Sequence, residues 1–160
     1  MKKGFTLIEV LVVVIIVTVL TTVAVPKYMR SIERSRAVEA MTNIKALNEA
    51  VYAYSVESGG SQCPASFKKI AIMVNGTLNN NNTVITTRNF TYTLNAATNA
   101  LIPGTDCAGV TAKRNGGAKY DYVIWNPYLV NGSTLGCTST VQSSIDICNS
   151  LQLDTTTSPY

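Results

Sequence analysis

An apolar run from Phe5 to Val25 constrains this chain more than any other feature of its sequence. Glu9 is the one ionisable side chain within it. As a helix rising about 1.5 Å per residue, the run spans about 30 Å, the thickness of the hydrocarbon core of a bilayer. β-Branched residues, common here, are modest helix formers in water, but in lipid a helix satisfies its own backbone groups. The sequence therefore predicts a membrane-spanning N-terminal helix.

The basic residues before this run indicate its orientation. Lys2 and Lys3 precede it, so the positive-inside rule predicts a cytoplasmic N-terminus and an exported remainder. A secretory signal peptide fits poorly, because its apolar region is usually about 7–15 residues long. An uncleaved anchor fits the length of the run and explains every part of it except Glu9.

Glu9 is anomalous because an acid inside an apolar helix is costly in lipid and usually marks function. In one interpretation its carboxylate lies near the cytoplasmic interface, where snorkelling and the nearby lysines relieve the cost. In the other, Glu9 is retained because it meets a positively charged partner after the chain leaves the lipid. The second interpretation predicts a role in assembly.

The order of residues around Glu9 resembles a known processing signal. Gly4-Phe5-Thr6-Leu7-Ile8-Glu9-Val10 follows a short basic leader and precedes an apolar run, as in the prepilin signature shared by type IV pilins and the pseudopilins of type II secretion. In that family a membrane aspartyl peptidase cuts after the glycine that matches Gly4 and N-methylates the residue that matches Phe5. The resemblance therefore implies a leader of residues 1–4 and a mature chain of residues 5–160.

Cleavage there would supply a partner for Glu9. A glycine at the cut carries no side chain to obstruct a protease and adds little helical stability. The α-amine created at Phe5 is a cation close in sequence to Glu9. We hypothesise that in a filament the Glu9 carboxylate pairs with the Phe5 amine of a neighbouring subunit. A subunit docked at the wrong height would leave a buried charge unmatched, so this pair would set the register of assembly.

The helix is predicted to continue beyond the membrane. Pro26 either breaks it at the membrane surface or kinks a continuing helix, and the pattern that follows favours the kink. That pattern runs to about residue 58, where Gly59-Gly60 supplies a stop. Its apolar positions are Tyr28, Ile32, Val38, Met41, Ile44, Leu47, Val51 and Tyr54, and polar residues expected on the other faces include Arg34, Glu39, Lys45, Asn48 and Glu49. This half needs a globular partner to cover its apolar stripe.

Beyond residue 60 the sequence predicts a short helix at residues 66–74 and then a small antiparallel sheet. The alternation of Phe90, Tyr92 and Leu94 with threonines has the period of a half-buried strand. The strand candidates are residues 90–94, 99–103, 109–113 and 118–125, the last of them after the turn signal Asn115-Gly116-Gly117. A sheet of three or four strands over the helix stripe buries both apolar surfaces.

These elements give an α+β fold, a long N-terminal helix packed on a small antiparallel sheet, which is the ladle-shaped architecture that the resemblance to pilins implies. Residues 1–4 form the leader and residues 5–26 the transmembrane and filament-core helix. Residues 27–58 form the amphipathic half of the same helix. Residues 59–160 form a globular region that makes one domain with residues 27–58.

Four cysteines, with no C-x-x-C pair, favour two disulfides in an oxidising compartment over metal ligation or free buried thiols. Four cysteines allow three connectivities. The resemblance to pilins favours Cys137–Cys148 around a surface loop. Cys63 would then pair with Cys107 and join the helix-to-sheet connection to the sheet.

No catalytic constellation, cofactor site or metal site is predicted, because the chain has no histidine and its aspartates are dispersed. The scattered basic residues form no stripe, so nucleic-acid binding is not expected to be more than weak.

The sequence predicts a structural protein. The resemblance to pilins implies an inner-membrane precursor, cut by a prepilin peptidase, N-methylated and polymerised by an assembly machinery into an extracellular homopolymeric pilus for adhesion, motility or DNA uptake. A pseudopilin of a secretion system is the alternative within the family, and the two cysteine pairs favour a pilin over it. A single-pass anchored binding or enzymatic domain is the alternative from another class.

Overall fold

One long helix and a six-stranded antiparallel sheet form the core of the computed structural model, which describes residues 4–59, 62–71, 74–101, 107–126 and 135–156. Each strand pairs with the next one in sequence, so the sheet has no crossover. The elements are α1 (Leu7–Glu57), β1 (Thr77–Leu78), β2 (Val84–Thr86), β3 (Phe90–Leu101), β4 (Ala108–Arg114), β5 (Val123–Trp125), β6 (Gly136–Thr138) and α2 (Gln142–Ser150). Short 3₁₀ turns lie at Phe67–Lys69 and Gly117–Lys119.

Helix α1 is continuous through Pro26, as the sequence predicted, rather than ending at the proline. The missing N–H of a proline is tolerated where the rest of the helix is held by other contacts, and the bend expected at Pro26 stays a prediction. The helix ends at Glu57, and Gly59 follows in the left-handed region with φ of 89°. This backbone conformation favours glycine, so the helix ends beside Gly59, as the sequence predicted.

The inward face of α1 differs in part from the predicted stripe. Ile44, Leu47 and Val51 are fully buried against the sheet, as expected. Val38 and Tyr28 are exposed, which corrects their assignment to the stripe. In this part of the helix the buried positions are taken instead by small residues, Ala37 and Ala40. Asn48, expected on a polar face, is buried as well.

Alanines at these positions let the helix backbone lie close to the sheet, and the sheet supplies the large side chains. The inward row of the sheet runs through Ile85, Tyr92, Ala112, Ile124 and Cys137, which are register partners on successive strands. All five are buried. The core therefore has a helix-on-sheet layering, with aromatic bulk on the sheet side.

The predicted α+β fold is confirmed, with more strands than expected. Residues 90–94 and part of 99–103 belong to the single long strand β3, and residues 109–113 lie in β4. The additional strands β1, β2 and β6 have two or three residues each. Alternation over so few residues gives no detectable period, and their pairing is imposed by the neighbouring strand.

Two local predictions are wrong, and one helix was missed. Residues 66–74 form one 3₁₀ turn at Phe67–Lys69 rather than a helix, with residues 72–73 outside the described part of the chain. Residues 118–125 start as a 3₁₀ turn and become strand only at Val123. Helix α2 was not predicted. Buried Phe67 and Tyr120 explain the first two differences, because each turn places one aromatic ring in the core.

Candidate functional site

The first half of α1 is a helix without a protein partner. Its large apolar side chains are exposed throughout, from 83% at Leu7 to 46% at Val12. Within the described residues it is the one helix both long and apolar enough to cross a bilayer. So large a continuous apolar surface is not stable in water, and requires either lipid or other protein surfaces around it.

Glu9 lies at the start of this helix and is held by Thr6. The backbone N–H of Thr6 donates to Glu9 Oε2 at 2.8 Å, and the Thr6 hydroxyl donates to the same oxygen at 2.6 Å. This is capping-box geometry, in which an acid in the first turn satisfies donors at the helix end. The carboxylate therefore has neutral partners in the single chain, which the sequence interpretation did not foresee.

The residues before the helix are not helical. Gly4 and Phe5 precede the N-cap residue Thr6, and the space around Gly4 is open. Phe5 is 87% exposed. A peptide bond between these two residues is thus accessible and in an irregular segment, the condition in which backbone can enter a protease site.

Two disulfides hold the globular part, with the pairing expected from the resemblance to pilins. Cys63–Cys107 joins the segment after α1 to the segment before β4, with Cα atoms 5.2 Å apart. Cys137–Cys148 joins β6 to α2, with Cα atoms 5.9 Å apart. The described residues contain no free cysteine. The predicted pairing is confirmed.

A buried ionic cluster links α1 to the sheet, and the sequence analysis missed it. Glu33 is 1% exposed. Arg114, at the end of β4, donates from Nε to Glu33 Oε1 and from Nη2 to Oε2, the latter at 2.9 Å. The Tyr122 hydroxyl donates to Oε1 at 2.9 Å, and Arg36 donates to Oε2 at 3.1 Å. Every oxygen of the carboxylate is therefore satisfied.

Arg114 is itself enclosed. Its Nη1 donates to the Asn89 carbonyl at 2.8 Å, and its guanidinium lies 5.5 Å from the centre of the Phe90 ring. Burial raises the pKa of Glu33, but the hydrogen bonds from Arg114 and Tyr122 and the charge of Arg114 outweigh burial and leave that pKa below its ordinary value. The hydrogen bond to Glu33 raises the pKa of Arg114. Both groups are held in their charged forms.

Two further polar contacts fix the height of α1 on the sheet. Asn43 donates to the Tyr92 hydroxyl at 2.9 Å, and the Asn48 side-chain oxygen accepts from the Val110 N–H at 2.8 Å. Asn48 and Glu33 are buried, whereas Asn43 is half-buried. Since a buried polar group is costly without its partner, a shift of one helical turn would leave Glu33 and Asn48 unsatisfied.

The pKa of Glu33 gives a testable pH dependence. A folded-state pKa below the unfolded value adds stability above the unfolded pKa, about 4.3, and that stability is lost as pH falls through the folded pKa. We expect the free energy of unfolding, measured in detergent micelles, to decline below that pH with a smaller slope in Glu33→Gln. Glu49→Gln, an exposed acid on the same helix, should keep the slope of the wild type. Equal slopes in wild type and Glu33→Gln would contradict the assignment.

A helix that is exposed and apolar in its first half and packed on an antiparallel sheet in its second half has a pilin-like architecture. The family described as "Prokaryotic N-terminal methylation motif" matches residues 1–25. A type IV major pilin protein, PilA of Myxococcus xanthus (strain DK1622), is 45% identical over 49 residues. No solved structure gives a significant match. The N-terminal part of the chain is therefore similar to type IV pilins.

The similarity to PilA is confined to a part of both proteins. It covers 31% of this chain and 22% of the length of that relative. The methylation motif likewise ends at residue 25. The globular part of the chain, with its ionic cluster and its two disulfides, is therefore described by its own structure.

Proposed function

We propose that this chain is the precursor of a pilus subunit, cut after Gly4, N-methylated at Phe5 and polymerised through residues 5–25. The observation that carries the proposal is the exposed apolar half of α1, which lies inside a match to an N-terminal methylation motif. The precursor is held in the inner membrane with its N-terminus in the cytoplasm. Its partners are a prepilin peptidase, the pilus assembly machinery and further copies of itself.

Assembly replaces lipid around α1 by the α1 helices of other copies. Burial of apolar surface contributes about 25 cal/mol per Å² relative to water, but lipid tails are as apolar as side chains. Helix packing in place of lipid therefore supplies close contacts rather than a new hydrophobic gain. The position of each subunit along the filament axis then depends on polar groups. Glu9 is the one acid in this half of the helix. The filament would serve adhesion, motility or DNA uptake.

The experiment that tests this function is mass spectrometry of the chain from membranes and from sheared surface filaments. We expect a filament subunit that begins at methylated Phe5, and a precursor with residues 1–4 when the peptidase is absent. A subunit that begins at Met1, or after Val25, would show a plain anchor or a cleaved signal peptide and overturn the proposal.

Glu9→Gln is expected to reduce the yield of filaments strongly while leaving processing intact. Glutamine accepts the two hydrogen bonds from Thr6 as glutamate does, so the helix start is retained. It carries no charge for the Phe5 amine of a neighbouring subunit. Filaments are quantified by shearing and immunoblotting, and processing by the mass of the membrane-bound chain.

Thr6→Ala is the matched variant, since it removes the hydroxyl contact and keeps the charge of Glu9. It should assemble more filaments than Glu9→Gln. If Glu9→Gln assembled as the wild type does, the charge of Glu9 would have no part in register, and capping of the helix would be its whole role.

A further inference from the structure

The fold gathers cations that are scattered in the sequence at the end of the globular part nearest the apolar helix. We call this group the basic rim. Three members lie on α1 just after the apolar run, one lies in the turn before β3 and one lies in the turn before β5. They are Lys27, Arg30, Arg34, Arg88 and Lys119, and all five are exposed.

The contacts of the ionic cluster set the height of the sheet turns on α1. Arg114 binds both Glu33 on the helix and the carbonyl of Asn89, the residue after Arg88. Because Glu33 is close in sequence to the end of the apolar run, it lies about 12 Å along the helix axis from Val25. The turn that carries Arg88 is thus at the lower end of the sheet, on the side of the apolar helix.

Helix α2 places Lys119 at the same end. The Ser143 hydroxyl donates to the Lys119 carbonyl at 2.5 Å. Farther along α2, Asp146 lies 3.9 Å from the Arg30 guanidinium, and the Ser150 carbonyl accepts from Arg34 at 2.9 Å. Helix α2 therefore contacts both the turn that carries Lys119 and the part of α1 that follows the apolar run. These two parts lie at the same end of the globular part.

The positive charge of the rim is only partly matched by acids. Asp146 offsets Arg30 in an exposed pair at 3.9 Å. Asp121 is paired with Lys113, also at 3.9 Å, and Glu33 is buried against Arg114. Within the described residues, no hydrogen bond or ion pair joins the side chains of Lys27 or Arg88 to another residue.

Among the described residues, the opposite end of the globular part has no such excess. Near the last turns of α1, two acids and one base, Glu49, Glu57 and Lys69, line one shallow groove. The basic rim is therefore a concentration of positive charge at one end of the molecule, next to the apolar helix. It is not a general property of a basic protein.

We propose that the basic rim binds the headgroups of anionic phospholipids in the leaflet from which α1 emerges; this rests on the proposed insertion of residues 5–25 into a bilayer. The headgroup layer extends about 5–7 Å beyond the hydrocarbon core, which includes Lys27 and the side chain of Arg30. Arg34, Arg88 and Lys119 lie within about one Debye length, 8 Å, of that layer once their long side chains are extended. A nucleic acid would not require cations beside an apolar helix, so lipid is the favoured partner.

The test uses the full chain in phosphatidylcholine vesicles that contain trace spin-labelled phosphatidylglycerol or spin-labelled phosphatidylcholine. The fraction of each label immobilised by the protein gives the preference for the anionic lipid. Each basic residue near an anionic surface strengthens association by about fivefold. We therefore expect wild type to prefer phosphatidylglycerol, and the triple variant Lys27→Gln, Arg88→Gln, Lys119→Gln to lose about fivefold or more of that preference.

A matched control removes cations from elsewhere on the surface. Lys68→Gln with Lys69→Gln should retain the preference of the wild type. Wild type that immobilises both lipids equally, or a control pair that loses as much as the triple variant, would overturn the proposal. Tight binding of duplex DNA by wild type in neutral vesicles, without a lipid preference, would identify a nucleic acid as the partner and also overturn it.

Flotation of the same vesicles separates this proposal from the one on which it rests. A chain that floats with the vesicles after alkaline washing is inserted, and its lipid preference then tests the rim alone. A chain that does not float contradicts membrane insertion, and it overturns both proposals together.

Discussion

Arg114→Met is expected to destabilise the protein by about 3–5 kcal/mol, because it leaves the Glu33 carboxylate buried without its main charged partner. Glu33 is 1% exposed and cannot turn toward water without moving α1. Arg36 and Tyr122 still contact the carboxylate, but each supplies a single hydrogen bond. Methionine fills much of the volume of the arginine stem, so the loss reports the charge rather than a cavity.

The measurement is urea unfolding of the full chain in detergent micelles, followed by near-ultraviolet circular dichroism. Lys113→Met is the matched control, because it removes the preceding cation of β4, which is 63% exposed. That variant should lose less than about 1 kcal/mol. Glu33→Met combined with Arg114→Met should regain much of the stability that Arg114→Met loses, since no uncompensated charge remains. Equal losses in Arg114→Met and Lys113→Met would show that the cluster carries little energy.

Removal of the Cys63–Cys107 disulfide is expected to destabilise the protein more than removal of Cys137–Cys148. The first bridge closes a loop of sequence separation 44 and the second a loop of 11. In the chain-entropy model these loops correspond to about 4 and about 3 kcal/mol. The longer bridge also ties the end of α1 to β4, whereas the shorter one acts within a C-terminal subregion.

Paired cysteine-to-alanine variants, unfolded in urea as above, measure each loss. Wild type in reducing agent is the control, because it opens both loops while keeping the sulfur atoms in the core. Its loss should approach the sum of the two variants. A larger loss of stability on removal of Cys137–Cys148 would contradict this order. It would mean that packing of the buried Cys137 and Cys148 outweighs chain entropy. The reduced wild type would then be more stable than the sum of the two variants predicts.

The N-terminal half could be predicted from sequence because its features are local. A continuous apolar run predicts the first half of α1, and one acid within that run is conspicuous. The order of residues around Glu9, which matches the methylation motif, is also local. The long strand β3 was found for the same reason, since its alternation extends over enough residues to show a period.

The ionic cluster could not be predicted in the same way. Glu33 is polar, so a stripe of apolar residues at helical spacing does not include it. A signal was present, because Glu33, Ala37, Ala40 and Ile44 follow one another at steps of three or four residues along the buried face. Its partner Arg114 is 81 residues away, and only the register of the sheet brings the two together.

The positions of Val38 and Asn48 could not be predicted from the local sequence either. Valine is apolar and was placed inward, yet alanine at the neighbouring position permits closer helix–sheet contact and takes the inward place. Asn48 is polar and was placed outward, although an unpaired backbone N–H of β4 needs an acceptor there. Both outcomes depend on which backbone and side-chain groups of the sheet face α1. The pairing of strands from distant parts of the sequence determines those groups.

Because one helix is both the membrane segment and a full side of the core, the order of synthesis conflicts with the order of packing. The helix emerges first, with its inward row of small and polar residues ready for a sheet whose strands are made only afterwards. Strand β6 and its bridge to α2 come last. During that interval the second half of α1 has its inner face uncovered, so completion of the fold depends on the arrival of the C-terminal strands. A chaperone, or rapid completion of synthesis, would shorten the period in which the chain can aggregate.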